Sequence, residues 1–264
     1  MDSSIALVKG GGDLGTGVAL RLFQHGYRVV VTELPQPLVV RRTVAVASAI
    51  YEGRVTIEGV EARRVQDVTG IATAWAAGHI PVMVDPEARV AQQLTPHVVV
   101  DAIMAKRNTG TTIHDAPSVV ALGPGFSAGI DCHAVVETQR GPGLGRAFFS
   151  GSTAPDSGVP GEVGGEAIRR VLRAPVDGAF VEQAHIGDLV RAGDVVGQMN
   201  GHPVTAAIAG VVRGLLISGV VVRAGTKVGD IDPRGDPALC YQVSDKAWRV
   251  ADGVLEALAG LANK

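Results

Sequence analysis

The stretch that most restricts what this chain can become is Val8-Lys9-Gly10-Gly11-Gly12-Asp13-Leu14-Gly15-Thr16-Gly17-Val18-Ala19. An apolar run, Ile5-Ala6-Leu7-Val8, leads into it and reads as a buried parallel strand, and apolar residues at helical spacing follow from Leu14 to His25. The pattern predicts strand, tight turn, helix. Gly10, Gly12 and Gly15 satisfy G-x-G-x-x-G. Glycine suits those places because bare backbone N–H groups can then approach a pyrophosphate at the positive end of the next helix. Asp13 and Thr16, in the first turn of that helix, join the glycines as candidate cofactor-binding residues. A second strand, Arg28 to Thr32, ends at Glu33, 21 residues beyond Gly12. There a dinucleotide-binding unit carries the acid that accepts from a ribose hydroxyl. A glycine turn that merely packs helix on sheet is the alternative reading of the same residues.

Further apolar runs share that grammar. Ile80 to Val84 ends in Asp85-Pro86, Val98 to Val100 in Asp101, Val119 to Leu122 in Gly123, and Ala134 to Val136 runs on to Glu137-Thr138. Tyr51 to Asp67 reads as a strand or hairpin, Ile71 to Ala77 as a short helix, and the alanine- and valine-rich stretch after Thr43 as a helix reaching about Ile50. Apolar runs closed by Asp, Gly or Pro and separated by helix-length segments predict an α/β fold, a Rossmann-like doubly wound parallel sheet covered on both faces. Ligands of such sheets sit beyond the carboxyl ends of the strands.

Those ends hold the candidate chemistry. Lys106, Arg107 and Asn108, followed by Thr109 to Thr112, can cradle phosphate or form a plain loop; Gly123 and Gly125 flank the next strand end. Arg41 and Arg42 can hold phosphate bidentately or merely begin a solvated helix. Cys132 beside His133 offers either a nucleophile or sulfur carrier, or a small buried hydrophobe, since neighbours along a strand face opposite ways. His114 and Asp115 are candidates for acid–base work. Seven histidines contain no H-x-x-x-H and neither cysteine has a C-x-x-C partner, so no metal site is expected.

The carboxyl-terminal part repeats itself. Ala174–Met199 aligns without a gap on Ala206–Ile231 at an offset of 32, with nine of 26 positions identical, which is too many for chance at this composition. Each half reads as short strands joined by glycine turns. The pattern resembles the biotinyl/lipoyl-type barrel-sandwich hybrid, a β sandwich. In that family a hairpin lysine carries the prosthetic group; alignment puts Pro203 at its place, so neither biotin nor lipoate is expected. The expected organisation is a nucleotide-binding domain over 1–150, a Gly/Ser/Pro-rich connection over 151–172, the repeat domain over 173–234, and a C-terminal strand and helix over 235–264 that packs back on the first domain. Ser244 is the predicted N-cap of that helix.

With 24 basic and 26 acidic residues there is no electrostatic case for nucleic acid or an anionic membrane, and the start Met1-Asp2-Ser3-Ser4 lacks a basic leader region. No apolar stretch has membrane-spanning length. Two distant cysteines fit a reducing cytoplasm, the expected location.

Several blocks taken in order narrow the expectation. Lys9-Gly10-Gly11-Gly12-Asp13-Leu14-Gly15-Thr16-Gly17, Arg41-Arg42-Thr43, Ala105-Lys106-Arg107-Asn108, Gly123-Pro124-Gly125-Phe126, Leu144-Gly145-Arg146 and Gly229-Asp230-Ile231-Asp232-Pro233-Arg234 run through nearly the whole chain. Together they resemble the accessory proteins of the selenium-dependent molybdenum hydroxylase system (YqeB-like), related at the Rossmann level to the XdhC/CoxI maturation factors. The resemblance implies maturation of a client molybdenum hydroxylase, with NAD(P), another nucleotide or molybdopterin dinucleotide as the small-molecule partner. An NAD(P)-dependent oxidoreductase and a nucleotide-sensing scaffold without catalysis are the alternatives, and self-association is left open. The oxidoreductase lacks a Tyr-x-x-x-Lys or positioned His–Asp pair to supply a proton.

Overall fold

The computed structural model describes residues 4–263. Met1 to Ser3, part of the start read above as lacking a leader, lie outside the described residues. The chain divides into two compact units: Met1–Pro37, Ala45–Ser157 and Val243–Lys264 in one, Leu38–Val44 and Gly158–Gln242 in the other.

Among the described residues, the first unit builds one nine-stranded, mostly parallel sheet with helices. Its elements are β1 (Ile5–Lys9), α1 (Asp13–Gln24), β2 (Arg28–Glu33), α2 (Ala49–Glu52), β3 (Arg54–Ile57), β4 (Val60–Val65), α3 (Val68–Ala76), β5 (Ile80–Val84), α4 (Ala91–Leu94), β6 (Val98–Asp101), β7 (Ser118–Leu122), β8 (Ala134–Val136) and β9 (Ala147–Phe148). The strand order is β3-β4-β5-β2-β1-β6-β7-β8-β9. β3 and β9 pair antiparallel at the two edges, and the seven strands between them are parallel. From β1 the chain first builds outward through β2 and β5, then returns to build the other way from β6. The order therefore reverses between β1 and β6, which is where open α/β sheets form their ligand crevice.

Every residue of β1 and β6 is buried, which accounts for their unbroken apolar runs. On one sheet face, Ile5, Leu7, Val99 and Val119 pack with Ile71 and Ala74 of α3, Leu94 of α4, and Phe126 and Cys132. The opposite face carries α1 and the 18-residue terminal helix Asp245–Ala262. Ser244 caps that helix by accepting the Ala247 N–H. Gly17 is needed in α1 because a Cβ there would lie 2.8 Å from the Ala247 carbonyl oxygen. Arg21 fixes the pair by donating to Asp252 at 2.8 Å while lying 4.5 Å from the Trp248 ring centroid.

Two expectations are corrected here. The segments joining β6 to β7 and β7 to β8 are irregular loops; the terminal helix packs on β7, β8 and β9 instead. The helix expected to run from Thr43 to Ile50 is broken into 3-10 turns at Arg42–Val44 and Val46–Ser48, with Ala45 extended between them. The β-branched valines favour helix weakly. In addition, the Val46 and Ala47 N–H groups donate to Thr16 Oγ1 and Gly11 O, so they are spent on the glycine turn.

The second unit is all β apart from 3-10 turns. Its strands are β10 (Val171–Arg173), β11 (Gly178–Ala179), β12 (Val181–Glu182), β13 (Leu189–Val190), β14 (Val195–Met199), β15 (His202–Thr205), β16 (Gly210–Leu215), β17 (Val221–Val222) and β18 (Lys227–Asp232). They form sheets β10-β18-β16-β13, β11-β17 and β12-β14-β15. The internal repeat is visible in the pairing. Gly178 opposes Val222 as Gly210 opposes Val190, and Val195 opposes Thr205 as Lys227 opposes Arg173, each the other shifted by 32 residues. Each half thus pairs its strands with those of the other. The β14–β15 turn is Asn200-Gly201, both at positive φ, and Pro203 stands inside β15 opposite Gln198. The turn residues are therefore Asn200 and Gly201, and Pro203, aligned above with the family's lysine, lies beyond them in the strand. The strand expected after residue 235 is a 3-10 turn, Pro237–Cys240, opened by Pro237 and capped by Asp236.

Candidate ligand site at the carboxyl edge of the sheet

The glycine turn joins β1 to α1, and each glycine meets a different neighbour. A Cβ on Gly10 would lie 2.9 Å from the Ala102 carbonyl oxygen, and one on Gly15 would fall on the Gly10 carbonyl oxygen. Those two glycines are consumed by packing strand ends and helix together. Gly12 is different: a Cβ there meets nothing within 4 Å, and its φ of −68° suits any residue. The open approach to the helix start is over Gly12. The first intrahelical bond is from Thr16 N–H to Gly12 O, 2.8 Å. The amide groups ahead of Thr16 are thus not used by the helix itself, which is the arrangement that receives anions.

Glu33 ends β2 beside this turn. Its carboxylate accepts the Gly11 N–H at 2.7 Å and the Leu34 N–H at 2.8 Å. Burial pushes its pKa up, and the two N–H bonds offset only part of that rise. Glu33 therefore holds the turn in shape, while each oxygen keeps a lone pair for an incoming hydroxyl.

Across the reversal point lies a polar cluster that sequence reasoning did not assemble. Lys9 is 8% exposed, Asp101 1% and Thr111 1%. Lys9 and Asp101 are register partners on β1 and β6. The Lys9 ammonium donates to Thr111 Oγ1 at 2.6 Å, and that hydroxyl donates to Asp101 Oδ2 at 2.6 Å. A neutral hydroxyl satisfies one of the ammonium's three donors. The only local signal was a lysine closing an otherwise apolar buried strand.

Asn108 shapes the loop that delivers Thr111. Its Oδ1 accepts from the Gly110 and Thr111 N–H groups, and its Nδ2 donates to Thr111 O at 2.7 Å. Met104 and Lys106 sit at φ of 60° and 61°, a conformation held by the surroundings. Lys106 pairs with Asp156 at 2.6 Å. Arg107 is exposed, with no hydrogen bond or ion pair among the described residues. Gly125 lets two loops touch: a Cβ there would lie 2.6 Å from Arg107 N. Gly123, at φ 71°, leaves room for the Thr138 hydroxyl, 2.5 Å from where its Cβ would be.

The remaining candidates lie elsewhere. Arg41 and Arg42 belong to the second unit, where Arg41 donates to the Leu239 and Gln242 carbonyls and Arg42 to Leu215 O and Glu182. Cys132 is fully buried in the core, and burial pushes its thiol up to about 12. A nucleophile needs the reverse, an accessible thiolate. His114 and Asp115 line a cavity at the amino edge of the sheet, the opposite end from the glycine turn. A second cavity, of about 490 Å³, opens at the carboxyl ends of β4 and β5, between Asp67, Met83, Asp85 and Arg89. Among the described residues no helix is long and apolar enough to cross a membrane, and no group of three or more His, Cys, Asp or Glu is arranged to hold a metal ion.

No family model matches the sequence. The chain is 47% identical over 254 residues to the uncharacterized protein YqeB of Escherichia coli strain K12, a match covering 96% of this chain and 47% of that protein. It thus spans about half the length of the curated relative it matches. Among solved structures it is similar to an aspartoacylase family protein from Mesorhizobium loti (12% identity, TM-score 0.27, covering 88% of this chain and 85% of that one) and to a succinylglutamate desuccinylase/aspartoacylase from Rhodobacter sphaeroides (12% identity, TM-score 0.26, 87% and 85%). At those scores the structural likeness bears on neither fold nor chemistry. Nearly all of the chain is YqeB-like in sequence.

Proposed function

We propose that the chain is an accessory protein for maturation of a molybdenum hydroxylase, selenium-dependent by its sequence resemblance, that binds a nucleotide or the nucleotide-bearing molybdenum cofactor at the glycine turn. On this reading the sheet is Rossmann-like and the second unit a barrel-sandwich hybrid without its attachment lysine. The observation that carries the ligand half is Lys9, a buried lysine at the strand end next to the turn whose ammonium has one acceptor among the described residues, the Thr111 hydroxyl. Asp101 balances this charge only through the bridging Thr111 hydroxyl, which leaves two ammonium donors to offer a phosphate oxygen. The residues fit a phosphate-bearing group: helix-start amides beside an open Gly12, the spare Lys9 donors, and the unpaired Arg107 guanidinium. In the bound state the chain's own work is to grip phosphate and offer Glu33 to a hydroxyl. The client half is supported by the ordered sequence blocks. The oxidoreductase alternative draws less support, because His114 and Asp115 lie at the far edge of the sheet.

The test is calorimetric titration of NAD, NADP, ADP, CTP and molybdopterin–cytosine dinucleotide into the full chain, its Lys9→Met variant and its Gly12→Val variant. One of these ligands is expected to bind, with affinity reduced at least about tenfold in both variants. Binding by none, or equal binding by wild type and both variants, removes the glycine turn from ligand recognition.

A further inference from the structure

We propose that a second binding site lies at the amino edge of the same sheet and takes a small zwitterion, an α-amino acid with an apolar side chain. It stands apart from the nucleotide reading. At the amino end of a parallel strand the first backbone N–H groups run past the ladder and need another acceptor. His97 immediately precedes β6 and His133 immediately precedes β8, and each supplies one. Nδ1 of His97 accepts the Ile5 N–H at 3.4 Å, and Nδ1 of His133 accepts the Val119 N–H at 3.0 Å.

A ring nitrogen that accepts carries no proton, so the neutral imidazoles hold their hydrogen on Nε2 and present it as a donor. Protonating Nδ1 would set it against the main-chain N–H. Burial, with His114 nearby, also holds His133 below the usual histidine range. The two rings line a cavity of about 610 Å³ together with His114, Asp115 and an apolar wall that includes Pro96, Ile113 and Pro117. Asp115 accepts from the Thr112 hydroxyl at 2.6 Å and the Thr112 N–H at 3.3 Å, leaving lone pairs for a further donor.

Two neutral N–H donors and one carboxylate beside an apolar wall match a carboxylate and an ammonium on a short apolar body. A dianion would set a second negative charge against the Asp115 carboxylate, and a plain amine would leave the ring donors without acceptors.

L-leucine is the probe, followed by histidine-ring NMR on the full chain, with acetate and n-butylamine as half-ligands. Leucine is expected to shift the His97 and His133 signals saturably with Kd of about 1 mM or tighter, and each half-ligand to bind at least about tenfold more weakly. In Asp115→Asn, whose side-chain oxygen can still accept from Thr112, leucine is expected to weaken about tenfold while acetate binds as before or tighter. No saturable shift with leucine, acetate or butylamine matching leucine in the wild type, or an Asp115→Asn protein that binds leucine unchanged would each overturn the proposal. The ranking of the three probes on wild-type protein decides the matter even if the variant does not fold.

Discussion

The Glu33 carboxylate accepts the Gly11 N–H at 2.7 Å, so the acid that ends β2 braces the turn that ends β1. Burial raises its pKa, and the Gly11 and Leu34 bonds recover only part of the shift. For an acid raised on folding, the contribution to stability is complete below the ordinary carboxyl value and is lost as pH climbs through the folded one. Urea midpoints of the wild type are therefore expected to decline across that interval. Glu33→Gln, which keeps an oxygen for one N–H, should be flat there. The same decline in both proteins would trace it to another group.

Gly12 and Gly15 separate space for a ligand from space already filled. Gly12→Ala keeps a permitted backbone and an unobstructed Cβ, so its stability is expected to fall by no more than about 1 kcal/mol, the loss typical of alanine at an N-cap. Gly15→Ala drives a Cβ onto the Gly10 carbonyl and should cost about 3 kcal/mol or more. Thermal unfolding of the pair is the measurement. Equal losses would mean that the turn relaxes and that the open approach over Gly12 has no significance.

How much of this was legible in the sequence depends on how far apart the partners lie. β1, α1 and β2 announce themselves through periodicity and glycine placement within a few turns of chain, and Ser244 signals its helix for the same local reason. Lys9 and Thr111 are 102 residues apart, and only the register of β1 against β6 brings them together. Arg41 and Arg42 were read with the glycine turn because they follow it in sequence, but the chain crosses into the second unit at Leu38 and returns at Ala45. The loops after β6 and β7 looked long enough for helices; the face they leave bare is covered by a helix more than 100 residues further on, which no local pattern reports.

Cys132 and Cys240 are both free and buried, and burial raises both thiols. Since thiolate and access together set reactivity, neither should react with a disulfide reagent such as DTNB in native protein at pH 8, and both should react in guanidinium. Cys132→Ser is expected to leave ligand affinity at the glycine turn unchanged while lowering stability by about 1 to 3 kcal/mol, the penalty for a hydroxyl in an apolar core. Rapid native labelling at Cys132 would restore it as a candidate nucleophile.

Asp232 shows the opposite titration. Burial alone would raise its carboxyl. The Arg234 side-chain and backbone bonds, together with the charges of Arg213 and Arg234, outweigh burial and hold it below the usual aspartate range. Oδ2 lies 2.6 Å from Arg234 and 3.1 Å from Arg213, and the latter is itself buried. A carboxyl lowered on folding contributes its full stability above the ordinary aspartate value and loses it as pH falls through the folded one. Asp232→Asn removes the carboxylate that faces both Arg213 and Arg234, so a loss of about 3 to 5 kcal/mol is expected at pH 7. That difference should shrink in acid, where the wild-type carboxylate is itself neutralised. The readout is the denaturant midpoint of the second unit at a series of pH values. A deficit that stays constant down to strongly acid pH would mean that Asp232 acts through packing and hydrogen-bond geometry, with its charge against the two arginines contributing nothing.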